Sequence, residues 1–267
     1  MEFSLETSCL DLQQTLFCGQ CFRFRSLGDG CFEGMAGDRY IKLKQTESGA
    51  QVLEANEEDI PFWQDYFDME LDYADLIRSF ASDPVLAAAC KDRGIRVLKQ
   101  QPFETLISFI ISQNNNIKRI TGIIDRLCES FGKSVKGGYS FPDAATLAVQ
   151  TEDDLAPLRA GFRARYIIDA AQKVNSGEVD FDRIALLPDH EAREALKVIK
   201  GVGDKVADCV LLFGLHRLSA VPKDVWIKRV IAHYYPDGLP PCVGEYAGIA
   251  QQYLFDYART DLKEMLK

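Results

Sequence analysis

The chain has 267 residues, 47% of them hydrophobic and 27% charged, with a net charge of −9. That composition excludes a disordered or fibrous chain, and no apolar run approaches the ~18 residues a membrane span needs. Eight cysteines spread through the chain, with neither a basic start nor an apolar signal core at the N-terminus, read as reduced thiols. The expected location is therefore the compartment of synthesis, the cytoplasm or a nucleus.

The acidic excess is uneven. Ten acids lie between Gln45 and Asp75 with no Lys or Arg among them, which leaves the remainder of the chain at +1. From Lys197 to Arg229, seven bases face three acids, a local +4. An acidic side and a basic face are compatible with a polyanionic partner that total charge alone would not suggest.

In chain order, the first predicted elements are strands. Cys21–Arg25 alternates, Gly28-Asp-Gly30 is a turn signal, and Cys31–Ala36, Arg39–Lys44 and Ala50–Glu54 are separated by Gly37-Asp38 and Ser48-Gly49. A small antiparallel meander accounts for them. After Pro61 the period becomes helical: Phe103, Leu106, Ile107, Ile110 and Ile111 form one stripe, and Ile120, Ile123, Ile124 and Leu127 another. Leu155, Leu158, Tyr166 and Ile167 mark later helical stretches. The expected fold class is α+β, with a sheet domain over residues 1–75 and a larger all-helical region over 76–267.

The segment Leu196-Lys-Val-Ile-Lys-Gly-Val-Gly-Asp-Lys-Val-Ala-Asp-Cys-Val-Leu-Leu-Phe213 reads as a helix, a Gly201-Val-Gly203 hairpin with φ > 0, and a second helix from about Asp204. Backbone N–H groups at such a hairpin suit a DNA phosphate, whereas a lone Gly-x-Gly is more often a short connection between core helices. Lys205 adds weight to the first reading, because an ammonium in a first helical turn meets the positive end of the helix dipole. That setting favours the neutral amine, the form able to attack carbon. Asp224, in Val221-Pro-Lys-Asp-Val225, falls at the expected start of another helix. Taken singly, the lysine reads as a solvated side chain and the aspartate as a cap.

The hairpin, Lys205, Val206-Ala-Asp-Cys209 and the Val-Pro-x-Asp-Val stretch together resemble the helix-hairpin-helix signature, at about 190–213, of the 8-oxoguanine DNA glycosylase family. Cys18-Gly-Gln-Cys-Phe-Arg23 looks like that family's N-terminal loop. Ile110-Ile-Ser-Gln-Asn-Asn-Asn-Ile-Lys-Arg-Ile120 looks like its Asn-rich helix junction, Gly161-Phe-Arg-Ala-Arg-Tyr166 like its arginine loop, and Gly248-Ile-Ala-Gln-Gln-Tyr-Leu-Phe255 like its pocket helix. The matches lie in order along nearly the whole chain.

The resemblance implies a glycosylase and AP lyase that flips 8-oxoguanine out of duplex DNA, with Lys205 as nucleophile and Asp224 as its partner. It implies that Phe255 and Cys209 sandwich the base, that Gln251 bonds its Watson–Crick edge, and that the Gly19 carbonyl accepts the N7 hydrogen found on 8-oxoguanine and absent on guanine. Trp226 would line the same pocket, standing where many members carry His. Asn114, Arg119 and Arg163 would hold the orphaned cytosine, and Gly201 and Gly203 would contact the backbone. No cofactor or metal is expected. The partner is damaged duplex DNA, with no membrane, and the protein is expected to be a monomer.

Cys18-x-x-Cys21 finds no second ligand pair for zinc, and only Cys242 lies where a four-cysteine cluster would sit near the C-terminus, which excludes the iron–sulfur branches. A non-catalytic helix-hairpin-helix DNA-binding module is the rival reading. It needs neither Lys205 nor Asp224, and an alkyl-base glycosylase of the same fold works without the lysine.

Overall fold

A computed structural model of the chain describes residues 3–262. Strand β1 (Phe3–Glu6) is followed by helix α1 (Leu12–Phe17), whose first turn is capped by Asp11 accepting the Gln14 N–H at 2.8 Å. Strands β2 (Phe24–Gly28), β3 (Cys31–Ala36), β4 (Arg39–Thr46) and β5 (Gly49–Glu54) form the expected meander. The antiparallel sheet runs β1-β5-β4-β3-β2, with Phe3 opposite Val52 and Phe32 opposite Leu43. Strand β1 is absent from the sequence reading, since four residues with one fully buried side chain, Leu5, carry too little alternation.

Ile41 and Leu43, on one face of β4, are fully buried in a core shared with Trp63 and Phe67 around helix α2 (Ile60–Tyr66). Each such side chain contributes about 1.5–3 kcal/mol of burial. Helices α3 (Tyr73–Phe80) and α4 (Pro84–Cys90) lead into an extended segment in which Ile95 and Val97 join the helical core and Leu98 joins the sheet core. That alternation ties the two layers together.

Helix α5 (Pro102–Ser112) is buried almost all round and forms the axis of the helical region. Around it lie α6 (Ile117–Phe131), a small hairpin of β6 (Ser134–Val135) and β7 (Gly138–Tyr139), α7 (Ala144–Ala148), α8 (Ala164–Asn175) and α9 (Phe181–Ile184). Helices α10 (Asp189–Lys197), α11 (Asp204–Cys209), α12 (Val225–Tyr234) and α13 (Ala247–Thr260) complete the region. The Leu155–Leu158 stretch, expected to be helical, makes only a 3-10 turn, ended by Arg159 in the left-handed region at φ 57°. Among the described residues no helix is long and apolar enough to cross a membrane, and no group of three or more His, Cys, Asp or Glu is placed to hold a metal ion.

Candidate active site

The hairpin between α10 and α11 depends on one glycine for its shape. Gly201 has φ 80°, and a Cβ there would stand 2.4 Å from the Tyr166 ring, so a side chain is excluded by both backbone and space. Asp169 fixes the approach by accepting the Lys200 N–H at 2.8 Å. Gly203 differs from expectation: φ is −106° and ψ −176°, an extended N-cap conformation open to any residue. Its neighbourhood is empty, with nothing within 4 Å of a notional Cβ, so what it provides is clearance rather than handedness.

Lys205 lies in the first turn of α11, half-buried, with Nζ 4.7 Å from the centroid of the Phe109 ring on α5. Phe109 is itself stacked on Phe213 at 5.4 Å and 13°. The aromatic face attracts the cationic form and fixes where the amine points. Asp224 caps α12, its Oδ1 accepting the Ile227 N–H at 2.8 Å. Burial pushes its carboxyl up, and the Ile227 N–H and the Lys205 charge pull the other way. The lysine and the aspartate, 19 residues apart, line one cleft.

The other walls come from both ends of the chain. Gln251 and Phe255, one turn apart on α13, line the cleft with Cys209 and Gly19. Burial pushes the Cys209 thiol up to about 11, so it stays neutral and presents a soft apolar wall. Gly19 has φ 87°, and a Cβ on it would lie 3.8 Å from the Phe255 ring. Its loop is pinned by Gln20, which is 1% exposed. The Gln20 Nε2 donates to the Thr15 and Arg96 carbonyls, both at 2.8 Å, and its Oε1 accepts the Leu98 N–H at 2.9 Å. With both Nε2 hydrogens and its Oε1 engaged inside the fold, Gln20 sets the height at which Gly19 meets the cleft.

An amine and a carboxylate in one cleft, with the apolar walls of Phe255 and Cys209 and the two buried amides of Gln251 and Gln252, can attack a carbon bearing a planar leaving group. Residues 2–106 match the family model described as 8-oxoguanine DNA glycosylase, N-terminal domain, and residues 107–238 match that of the HhH-GPD superfamily base excision DNA repair protein. The N-glycosylase/DNA lyase OGG1 of Arabidopsis thaliana is 31% identical over 92% of this chain and 76% of its own length. The chain belongs to the 8-oxoguanine DNA glycosylase family. The N-glycosylase/DNA lyase of Saccharomyces cerevisiae is 41% identical over 55% of this chain, an alignment spanning 44% of that longer protein. A structure of the Clostridium acetobutylicum 8-oxoguanine glycosylase/lyase with double-stranded DNA containing cytosine opposite 8-oxoG superposes with a TM-score of 0.87. It is 36% identical and covers 96% of this chain and 93% of that one.

Within this member of the family, Lys205, Asp224, Gly19, Cys209, Gln251 and Phe255 converge on the cleft, and Trp226 does not line it. Two residues beyond the Asp224 cap, the half-buried indole packs on the helical core, and the Arg229 guanidinium lies 5.5 Å from its ring. Asn114 and Arg119 lie exposed at the α5–α6 junction, Asn114 in the left-handed region at φ 47°. Arg163 was expected to offer its donors to a base but is 3% exposed. It donates to the Gln113 carbonyl through Nε at 3.0 Å and through Nη2, to Asn114 O at 3.1 Å and to Ala160 O at 3.1 Å. Four carbonyl contacts leave one Nη1 hydrogen unused, so here Arg163 chiefly holds the strained Asn114 loop. Burial and the nearby Arg119 charge both hold its guanidinium below its usual range.

Phe109, Gln20 and Gln252 are site residues that the sequence reading did not single out. Their partners lie far along the chain, and nothing in local periodicity marks them.

Proposed function

We propose that this chain is a bifunctional DNA glycosylase and AP lyase that releases 8-oxoguanine from duplex DNA opposite cytosine. The observation that carries the reading is the meeting of Lys205, Asp224 and Gly19 in one cleft. Asp224, its carboxyl raised by burial, accepts the ammonium proton of Lys205, hands it to the departing base, and as the carboxylate so restored opposes positive charge at the sugar. The Lys205 amine attacks C1′ as the C1′–N9 bond breaks, and the base leaves with the bonding pair and takes up a proton. Ring oxygen O4′ then leaves C1′ with a proton, giving a C1′=N iminium. Loss of a C2′ proton expels the 3′ phosphate by β-elimination, and water frees the lysine.

The damaged base lies between Phe255 and Cys209, with Gln251 on its Watson–Crick edge. A carbonyl at Gly19 bonds the N7–H of 8-oxoguanine and repels the N7 lone pair of guanine, so selectivity arises from attraction in one case and repulsion in the other. The non-catalytic reading leaves a half-buried carboxyl and an amine in one cleft without a task.

Opposite the flipped lesion, Arg119 donors and the Asn114 carboxamide suit cytosine O2, N3 and N4, with Arg163 fixing their loop. Adenine presents an N6 donor toward a guanidinium and a larger ring, a mismatch worth about 1–3 kcal/mol. Single-turnover excision from duplexes with each of the four opposite bases is expected to be fastest opposite cytosine, and Arg119→Met is expected to narrow the spread. Equal wild-type rates opposite cytosine and adenine would remove these residues from partner-strand reading.

A further inference from the structure

Gln251 is neither alone nor free to rotate. Its side chain, 3% exposed, accepts at Oε1 from Nε2 of Gln252, itself 4% exposed, at 2.8 Å. Gln252 Oε1 is in turn met by the Cys18 thiol at 3.5 Å. Cys18 is buried, its thiol pushed up to about 12 by that burial, so at neutral pH it carries a proton to donate. The single thiol hydrogen is shared between Gln252 Oε1 and the Thr15 carbonyl, 3.4 Å away, and Gln20 Nε2 lies 3.5 Å from the sulfur. A continuous chain of polar groups therefore runs from the loop that carries Gly19, through Cys18 and Gln252, to the Gln251 amide in the cleft. Cys18 and Gln252 are 234 residues apart, and both line the cleft.

We propose that Gln252 is a positioning residue for base recognition: by holding Gln251 Oε1 it turns the Gln251 Nε2 hydrogens into the cleft, toward the O6 acceptor of a guanine-type base. The proposal rests on the glycosylase reading and deepens it. A carboxamide is nearly symmetric in shape, so packing alone does not choose between its two orientations. Its neighbours' donors and acceptors do. With Oε1 occupied, an adenine-type edge, which places an N6 donor where guanine has O6, meets a second donor and is rejected. The chain of contacts also couples the two ends of the base. The loop reading the N7 side and the helix reading the O6 side share Cys18 and Gln252, so displacing one disturbs the other.

The test is a double-mutant cycle on single-turnover release of 8-oxoguanine opposite cytosine, using Gln251→Ala, Gln252→Met and the pair. Methionine fills the glutamine's volume without donor or acceptor. Gln252→Met alone is expected to slow release roughly 3- to 10-fold, the effect of one neutral hydrogen bond. In the Gln251→Ala background the same substitution is expected to change the rate less than about twofold, because the amide it orients is gone. The thermal midpoint of each variant checks folding. Losses that multiply in the pair would assign Gln252 to packing alone and overturn the proposal. A wild-type protein that leaves 8-oxoguanine in place would overturn the glycosylase reading itself, a distinguishable result. A second readout is release of 8-oxoadenine, whose disadvantage relative to 8-oxoguanine is expected to shrink in Gln252→Met and to stay unchanged if Gln252 only packs.

Discussion

Asp224 carries two tasks that substitution can separate. As the N-cap of α12 it accepts the Ile227 N–H at 2.8 Å, and as a half-buried carboxylate beside Lys205 it supplies a charge. Asn is as good a cap as Asp, and Ala loses about 1 kcal/mol at such a position. For a chain of this size that is a fall of about 2–4 °C in the thermal midpoint. Burial raises the folded carboxyl, so folding favours the protonated form: its stabilising contribution is complete below the unfolded pKa and is lost as pH rises through the folded value. At pH 7 removal of the charge is therefore neutral to mildly stabilising. Asp224→Asn is expected to melt within about 1 °C of wild type or above it, and Asp224→Ala to melt lower. Both are expected to lose about 10²–10⁴-fold in single-turnover base release. The raised carboxyl also places the acid limb of the wild-type rate profile above the usual carboxylate range, with activity falling as pH falls and Asp224 gains its proton. The assays are calorimetry and excision kinetics across pH on the three proteins. An Asn variant that melts like Ala, or that keeps near-normal release, would refute the division of roles.

Two further outcomes follow from the hairpin. Gly201→Ala forces a left-handed alanine and a Cβ 2.4 Å from Tyr166, and is expected to lower stability by about 2 kcal/mol or more and to weaken duplex binding in filter or anisotropy titrations; unchanged binding would mean the hairpin does not touch DNA. If the hairpin and its neighbouring bases dock on phosphates, binding is expected to weaken with salt at a log–log slope of about −0.9 per phosphate neutralised, and salt-independent binding would point to another partner for this acidic protein.

How far the sequence discloses this molecule depends on the range over which each signal acts. Alternation and glycine turns mark β2 to β5, and helical stripes mark α5 and α6, because each pattern is contained within its own element. The same logic misses β1, whose four residues pair with β5 from the far side of the meander. It also misreads Leu155–Leu158, where spacing suits a helix but Pro157 and the left-handed Arg159 allow only a turn. Lys205 and Asp224 are legible because each sits at a helix start that the sequence marks. Trp226 is not among the residues that line the cleft, since one aromatic two residues after a cap leaves its direction open until the helix's packing is known. Gln252 is invisible from the sequence, since its meaning lies in Cys18 at the other end of the chain. Arg163 shows the limit of reading by residue type alone, since its guanidinium is held by carbonyls 50 and 49 residues earlier in the chain.

The central claim is that Lys205 forms a covalent imine with the sugar, and the most direct measurement is borohydride trapping on a duplex carrying 8-oxoguanine opposite cytosine. Reduction converts the C1′=N bond to a stable amine, so wild-type protein is expected to run as a DNA-linked species whose peptide map places the adduct on Lys205. Lys205→Gln is expected to bind the same duplex, release no base and give no adduct. An adduct of wild-type yield in Lys205→Gln, or base release that survives the substitution, would contradict the account.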